Sequence, residues 1–478
     1  MRKCVLTVTG LVLLLCLLAL PTSAVREPHQ SLQGADYVVD STKDPGDGFC
    51  DATDCTLREA IYSANYDGGP SNIAFNIPPS DDGYNFLTGV WTIYLASALP
   101  ILTEEGTGVM GSTQTGNQGD TNPYGPEVVV NGSGSHECFT IWSQYNTIQG
   151  LVINACKYGV KIASVGSPWD PGYNTISGNY LGTNYAGTAA AGNIEYGIAI
   201  DNAHHNTIGG TTAQERNIIS GNGFCGVNIY GAAAHDNEVI GNYVGTNADG
   251  TGALPNGWAG IVIDLGAHDN TIGGVNPGER NIISGNEPGI SIGKDACYNR
   301  VTGNYIGTDS SGRVGVGNLD DGVRIGGGAQ RNYIGPNNII AYNGGSGVRI
   351  AGSTTISNTI TQNSIHSNVG EGIYLVDEAN GNLAAPYDVV GLCLGGGAYG
   401  GPLLQWEAFS DFDGQGRFFE STGGTDTGSF SFSPADVLFR YPYVTLTVTD
   451  EGGNTSEFSE PVPSGCLFGY LPLSMKAY

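Results

Sequence analysis

An Asn followed two residues later by Ile or Val recurs at Asn146, Asn174, Asn206, Asn237, Asn270, Asn299, Asn332 and Asn358, in steps of 28, 32, 31, 33, 29, 33 and 26 residues. A unit of this length cannot bury an apolar face alone, so stacked copies must share one core. Each unit also carries Gly-Val/Ile-x-Ile/Leu, beginning at Gly159, Gly197, Gly226, Gly260, Gly289, Gly322, Gly347 and Gly372. Apolar residues alternate there with a variable one, the period-two pattern of a strand with one buried face. Ile200, Ile229, Ile263 and Ile292 are expected to point inward, and Lys161, Ala199, Asn228, Val262, Ser291, Arg324, Arg349 and Tyr374 outward. No apolar 3.6-residue period survives across the units, which excludes helical repeats. Short strands punctuated by Gly and Asn, one coil per unit, predict an all-β chain built as a parallel β-solenoid. The recurrent Asn is expected at a corner, tolerating left-handed backbone and hydrogen-bonding its neighbours as a ladder.

Insertions alternate along the repeat. Gly-Asn-Tyr-Leu/Val/Ile-Gly-Thr occurs at Gly178, Gly241 and Gly303, and the units between carry Asn-Thr-Ile-Gly-Gly with Glu-Arg-Asn-Ile-Ile-Ser-Gly-Asn. A two-coil superrepeat of this kind pushes a longer loop out on every second rung, and binding usually resides in such loops.

Composition removes other classes. Of 478 residues, 76 are Gly and 13% are charged, while 40% are hydrophobic, enough to bury a core and exclude disorder. The Gly has no three-residue period, which excludes collagen. A formal charge of −27 argues against a nucleic-acid partner, since phosphate neutralisation needs a basic surface. Met1-Arg2-Lys3, the apolar run Cys4 to Leu20 and the small residues before Val25 predict an export signal cut after Ala24. No later run approaches the ~20 apolar residues of a membrane span, so an extracellular or cell-surface chain is expected. Eight Cys follow the cut: Cys50 and Cys55 flank a tight turn and are the first expected disulfide, with Cys138–Cys156 and Cys393–Cys466 as further pairs.

Cys50-Asp-Ala-Thr-Asp-Cys55-Thr-Leu-Arg-Glu-Ala-Ile61 resembles the CSLREA-type N-terminal module of secreted bacterial proteins, with Thr56 where Ser is usual. Ile73-Ala-Phe-Asn-Ile77, Leu99-Pro-Ile-Leu102 and Gln149-Gly-Leu-Val-Ile153 are similar to that family's entry coils. The Asn-Thr-Ile-Gly-Gly repeats resemble the right-handed parallel β-helix of the pectate-lyase-like superfamily, and Val444–Glu460 the family's small C-terminal β-domain. The resemblance implies a signal peptide over 1–24, a CSLREA-type cap over 25–71, the β-helix over 72–378, a C-terminal β-sandwich-like domain over 379–465 and a tail over 466–478. It implies no single activity, because this architecture hosts lyases, hydrolases, epimerases and adhesins. From the residues themselves, Leu57, Ala60, Ile61 and Ala64 make one apolar helical face, suited to covering the open first coil.

Candidate chemistry lies on the outward columns. Asp201, Tyr230 and Asp264 follow the second inward aliphatic on successive rungs, so the two carboxylates should lie about 9–10 Å apart at two rung spacings. That nears the separation used by inverting glycosidases, with the Tyr230 ring between as a sugar-stacking surface and the Gly178 and Gly241 loops as walls. The alternative is two turn aspartates bonding local N–H groups. His204, His235 and His268 recur two residues before the corner Asn and offer either a transition-metal or general-base column or a solvated polar ladder. Arg324 and Arg349 share a column that would hold a carboxylate-bearing ligand, unless Asp320 and Asp321 pair with them. Asn247 and Asp249 precede Gly250 with the spacing of a Ca²⁺ loop or of a simple turn, so Ca²⁺ is a candidate cofactor and none is required.

Two function classes follow. One is a secreted β-helix that binds a polysaccharide, cell-surface glycan or other surface without catalysis. The other is a polysaccharide-degrading hydrolase or lyase. A lyase acting on polyuronate needs bases to offset substrate charge, and a hydrolase needs two placed carboxylates. A chain that retains 16 bases against 45 acids after the cut, with one marginal acid pair, favours binding.

Overall fold

In the computed structural model the described residues are 36–464 except 47, 49, 52–53, 165–169, 393–394, 400–403, 426–428 and 435–438. The export signal, the Cys393–Cys466 pair and the tail over 466–478 lie outside them. The chain is a right-handed parallel β-helix followed by a small antiparallel β-domain. Two eleven-stranded sheets and one nine-stranded sheet run its length, their strands pairing in parallel with equivalents one coil away except for Tyr84–Asn85, which pairs antiparallel with Val90–Tyr94. The nine-stranded sheet, from Phe139–Ile141 to Ile373–Val376, is built from the Gly-Val/Ile-x-Ile/Leu segments. Ile200, Ile229, Ile263 and Ile292 pair in register and are at most 1% exposed, so the inward column is as the alternation requires.

Side-chain amides form three ladders, one at each corner. The repeat Asn residues bond Nδ2 to Oδ1 from Asn146 through Asn358 at 2.8–3.0 Å. A second ladder runs from Asn179 to Asn363, and a third from Asn193 to Asn368. The left-handed residue at the corner is not the Asn but the one before it. Tyr145, Tyr173, His205, Asp236, Asp269, Tyr298, Arg331 and Ser357 take φ of 53–61°. That turn swings the Asn side chain inward, where its amide meets carbonyls that no strand partner reaches.

Both ends of the solenoid are covered. The sheet begins earlier than the expected residue 72: Tyr37–Val39 is its first strand, pairing in parallel with Asn72–Phe75, and the helix Leu57–Tyr66 is inserted between them. Thr56 and Glu59 cap that helix reciprocally, and Leu57, Ala60, Ile61 and Ala64 are buried on the first coil. Arg58 is 7% exposed; its guanidinium grips Asp44 at 2.6 and 2.8 Å and the carbonyls of Ser97 and Ala98. The cysteine pairs Cys50–Cys55 and Cys138–Cys156 are disulfides, clamping this end. At the far end the ladders finish on the C-terminal region: Asn368 Nδ2 donates to Gln415 and the Asn358 backbone to Asn380. Glu407 accepts from Gln362 N at 2.9 Å, and Glu457 from Leu375 N at 2.8 Å. Antiparallel sheets of three and four strands, packed around Trp406, Phe432, Phe439 and Leu446, make up that domain. Among the described residues no helix is long and apolar enough to cross a membrane.

Candidate functional site

The outward column of the nine-stranded sheet is not solvated where it was expected to be. Ala199, Asn228 and Val262 are 0%, 9% and 4% exposed, because aromatic rings from the strand entries close over them. Tyr158 and Tyr196 stack at 5.6 Å, Tyr196 meets Phe224 at 5.9 Å, and Phe224 stacks on Trp258 at 5.1 Å. Four successive rungs each contribute one ring, so the shelf runs along the solenoid axis for three spacings, roughly 14 Å. Opposite it stand Tyr230, Asp264, Leu265, Gly293 and Lys294, and Asn228, Val262 and Ser291 form the floor. The groove holds about 430 Å³.

Polar groups inside it are few and defined. The Asn228 amide bonds the Tyr196 hydroxyl, leaving Oδ1 buried with no hydrogen-bond partner. An orphaned buried acceptor costs about 1–3 kcal/mol, so this oxygen is poised for an incoming donor. Tyr158 is pushed up to about 12 by burial and by its hydrogen bond to Glu195, and Tyr230 is raised by burial and by Asp201 beside it. Both phenols therefore stay protonated donors. Cys225, the free cysteine among the described residues, is buried at the groove base, and burial lifts its thiol to about 12.

Asp201, Tyr230 and Asp264 do share one column, each paired in register with the next. Only Tyr230 and Asp264 line the groove. Asp201 is engaged by the Tyr230 hydroxyl and by Asn202 Nδ2 at 2.9 Å, while Asp264 faces Lys294 Nζ at 3.3 Å. Each carboxylate thus has its own partner rather than a shared opening for water. The Gly178 and Gly241 loops, expected as walls, contribute no residue to the groove lining and stack on one another instead, Ala248 N donating to Gly187 O, with the Gly303 loop stacked next through Ser310 N and Gly250 O.

The other predicted residues separate by geometry. Arg324 and Arg349 are adjacent in register, and the Arg324 fork is filled by Asp320 and by Asp321 at 3.0 Å, so it is not open to a ligand carboxylate. Asn247 Oδ1 accepts from Thr251 N and Gly252 N, closing its own loop. Asn184 does the same in the preceding loop and Asp309 in the following one. Burial works against charge on Asp309, but the Ser311 hydroxyl and three backbone N–H donors outweigh it and hold the carboxyl below its usual range. Asn247 Oδ1, expected as a Ca²⁺ ligand, is in this way a loop cap, and the backbone carbonyl of Asp249 accepts from the Ser310 hydroxyl. His204, His235 and His268 form a column of parallel rings, 5.1 and 5.2 Å apart and tilted by 10° and 11°. Parallel rings hold their in-plane lone pairs side by side, so the three do not converge on one point.

The aromatic shelf was missed in the sequence because its rings come from two adjacent columns, Tyr158 and Tyr196 from one, Phe224 and Trp258 from the next. The signal available was four aromatics just before the strand glycines of four consecutive units.

No family model and no curated protein matches this chain. Among solved structures it is similar to a mutant of the periplasmic alginate epimerase AlgG (13% identity, 67% of this chain and 71% of that one, TM-score 0.35). It is also similar to tailspike protein 2 of the Escherichia coli bacteriophage CAB120 (12%, 86% and 67%, 0.38) and to the Azotobacter vinelandii mannuronan C-5 epimerase AlgE6 A-module (14%, 72% and 94%, 0.35). At these identities and TM-scores the likenesses carry no argument on function, which rests on the groove.

Proposed function

We propose that this chain is an exported, glycan-binding β-helix whose groove over the nine-stranded sheet takes a segment of neutral polysaccharide lying along the solenoid axis. The observation that carries it is the aromatic shelf Tyr158–Tyr196–Phe224–Trp258 facing the orphaned Asn228 Oδ1. Sugar rings present apolar C–H groups that pack on aromatic surfaces and hydroxyl donors at their edges, and a mostly apolar cleft with few fixed polar groups matches both. Charge argues for a neutral ligand: the chain is strongly acidic, and Lys294, the ammonium among the groove-lining residues, already faces Asp264, while those of Lys157 and Lys161 lie over the Tyr158 ring. Disulfides support an oxidising compartment, in keeping with the signal sequence and the resemblance of its N-terminus to the CSLREA-type module.

Binding is favoured over cleavage because Asp201 stands outside the groove lining with Tyr230 and Asn202 as partners, leaving Asp264 without a second carboxylate across a bound sugar. The test is retention of the full-length mature protein on a panel of immobilised neutral and acidic polysaccharides, with Trp258→Ala and Tyr196→Ala alongside. Retention on a neutral glycan, unaccompanied by release of reducing ends and lost in both variants, is the expected outcome. Equal retention of wild type and both variants contradicts the groove assignment. Reducing ends that vanish in Asp264→Asn contradict the non-catalytic reading.

A further inference from the structure

One corner of the solenoid carries a cluster distinct from the groove. Two consecutive coils end in His204-His205-Asn206 and His235-Asp236-Asn237, and the left-handed turn at His205 and at Asp236 lifts both side chains onto the outer edge. One ring nitrogen of His205, one of His235 and a carboxylate oxygen of Asp236 lie within 4.8 Å of one another. Asp236 Oδ2 is 2.8 Å from His235 Nδ1 and 3.8 Å from His205 Nε2. Ligands about 2.0–2.2 Å from a tetrahedral ion sit roughly 3.3–3.6 Å apart, so the observed separations bracket those of a bound metal.

Neighbouring groups fix the His205 ring and its tautomer. It stacks on Tyr173 at 4.8 Å and meets His204 edge-on at 5.0 Å. His204 Nε2 faces the Asp170 carboxylate at 3.0 Å and so carries the ring proton when neutral, which leaves its Nδ1 an acceptor. His205 Nδ1, 2.9 Å away, must then be the donor, and the free lone pair of His205 is on Nε2, the nitrogen nearer Asp236. A carboxylate–histidine relay of this kind is how proteins orient and strengthen a metal-ligating imidazole.

From this geometry we infer that His205, His235 and Asp236 form a binding site for a divalent transition metal such as Zn²⁺, Ni²⁺ or Cu²⁺, with its remaining coordination positions open to solvent. Two imidazoles and one carboxylate suit these borderline ions rather than Ca²⁺, which takes six to eight oxygens. Because the ligands come from adjacent coils, the ion bridges two rungs.

The test is isothermal titration of the tag-free mature chain with Zn²⁺ and Ni²⁺, paired with electron paramagnetic resonance of one equivalent of Cu²⁺. One equivalent should bind, and the Cu²⁺ spectrum should show coupling to two imidazole nitrogens. His205→Gln and His235→Gln should each weaken binding by about 10- to 100-fold and reduce the coupling to one nitrogen, whereas His268→Gln leaves both unchanged. Circular dichroism melts of the metal-free variants establish that each is folded. Absence of binding in folded wild type, or binding that survives His205→Gln and His235→Gln together or is lost in His268→Gln, overturns the assignment.

Discussion

Replacing Asn270 with Ala isolates what the amide ladders contribute. Asn270 is fully buried; its Oδ1 accepts from Asn237 N at 3.0 Å and Asn237 Nδ2 at 2.8 Å. Its Nδ2 donates to Asn299 Oδ1, Ala234 O and His268 O, all at 3.0 Å. The substitution leaves one backbone and one amide N–H of Asn237 facing a methyl group in a fully buried site. At about 1–3 kcal/mol for each orphaned donor the expected loss is about 2–6 kcal/mol, the carbonyls being less costly because each retains other partners or a second lone pair. Urea unfolding of wild type and variant, compared at their midpoints with slopes checked for equality, measures it. Asn247→Ala is the control: its amide caps an exposed loop, and the same experiment should cost about 1 kcal/mol. A loss at Asn270 no larger than that of the control refutes the idea that the ladder holds the coils in register.

Ile263→Ala deletes a fully buried side chain in the inward column and should cost about 2–5 kcal/mol by the same unfolding assay; a neutral result contradicts the register. His366 is 5% exposed, and burial together with the nearby Arg417 charge lowers it to about 4. Its folded value lies below the unfolded ~6.5, so the stability it contributes is complete above that pH and falls by up to about 3 kcal/mol as pH drops toward 4. His366→Gln should flatten this part of the stability–pH profile, and an unchanged slope excludes His366 as its source. Cys225 should resist iodoacetamide at pH 8 in the native protein and react once urea unfolds it, read by mass spectrometry; ready native labelling contradicts a buried, protonated thiol.

Much of the architecture was legible because a solenoid writes its period into the chain. The Asn146-to-Asn358 spacing yields the coils, and the Gly-led alternation yields the face and its buried isoleucines. The remainder depends on where neighbouring coils bring residues together. The second and third ladders were hidden because Asn179 and Asn193 stand among insertions of unequal length, so their period is blurred although their rungs are regular. Asn228 and Val262 point outward as expected yet are buried, because alternation reports which side of a sheet a residue faces and not what lies above it. Trp258 and Phe224 closed that side. The histidine column was visible, yet the cluster with converging nitrogens uses His205 and Asp236, since the left-handed turn there redirects side chains in a way that spacing does not encode. Asn184, Asn247 and Asp309 form a repeated cap that residue identity conceals, because Asn and Asp serve that role equally.

The central claim is that sugar rings lie along the shelf, and the most direct measurement is a crystal structure of the mature protein soaked with an oligosaccharide of the neutral glycan that retains it. The account predicts consecutive sugars packed against Tyr196, Phe224 and Trp258 along the solenoid axis, with one hydroxyl donating to Asn228 Oδ1. An oligosaccharide bound at another face, or one crossing the groove with Asn228 Oδ1 still unpartnered, contradicts it.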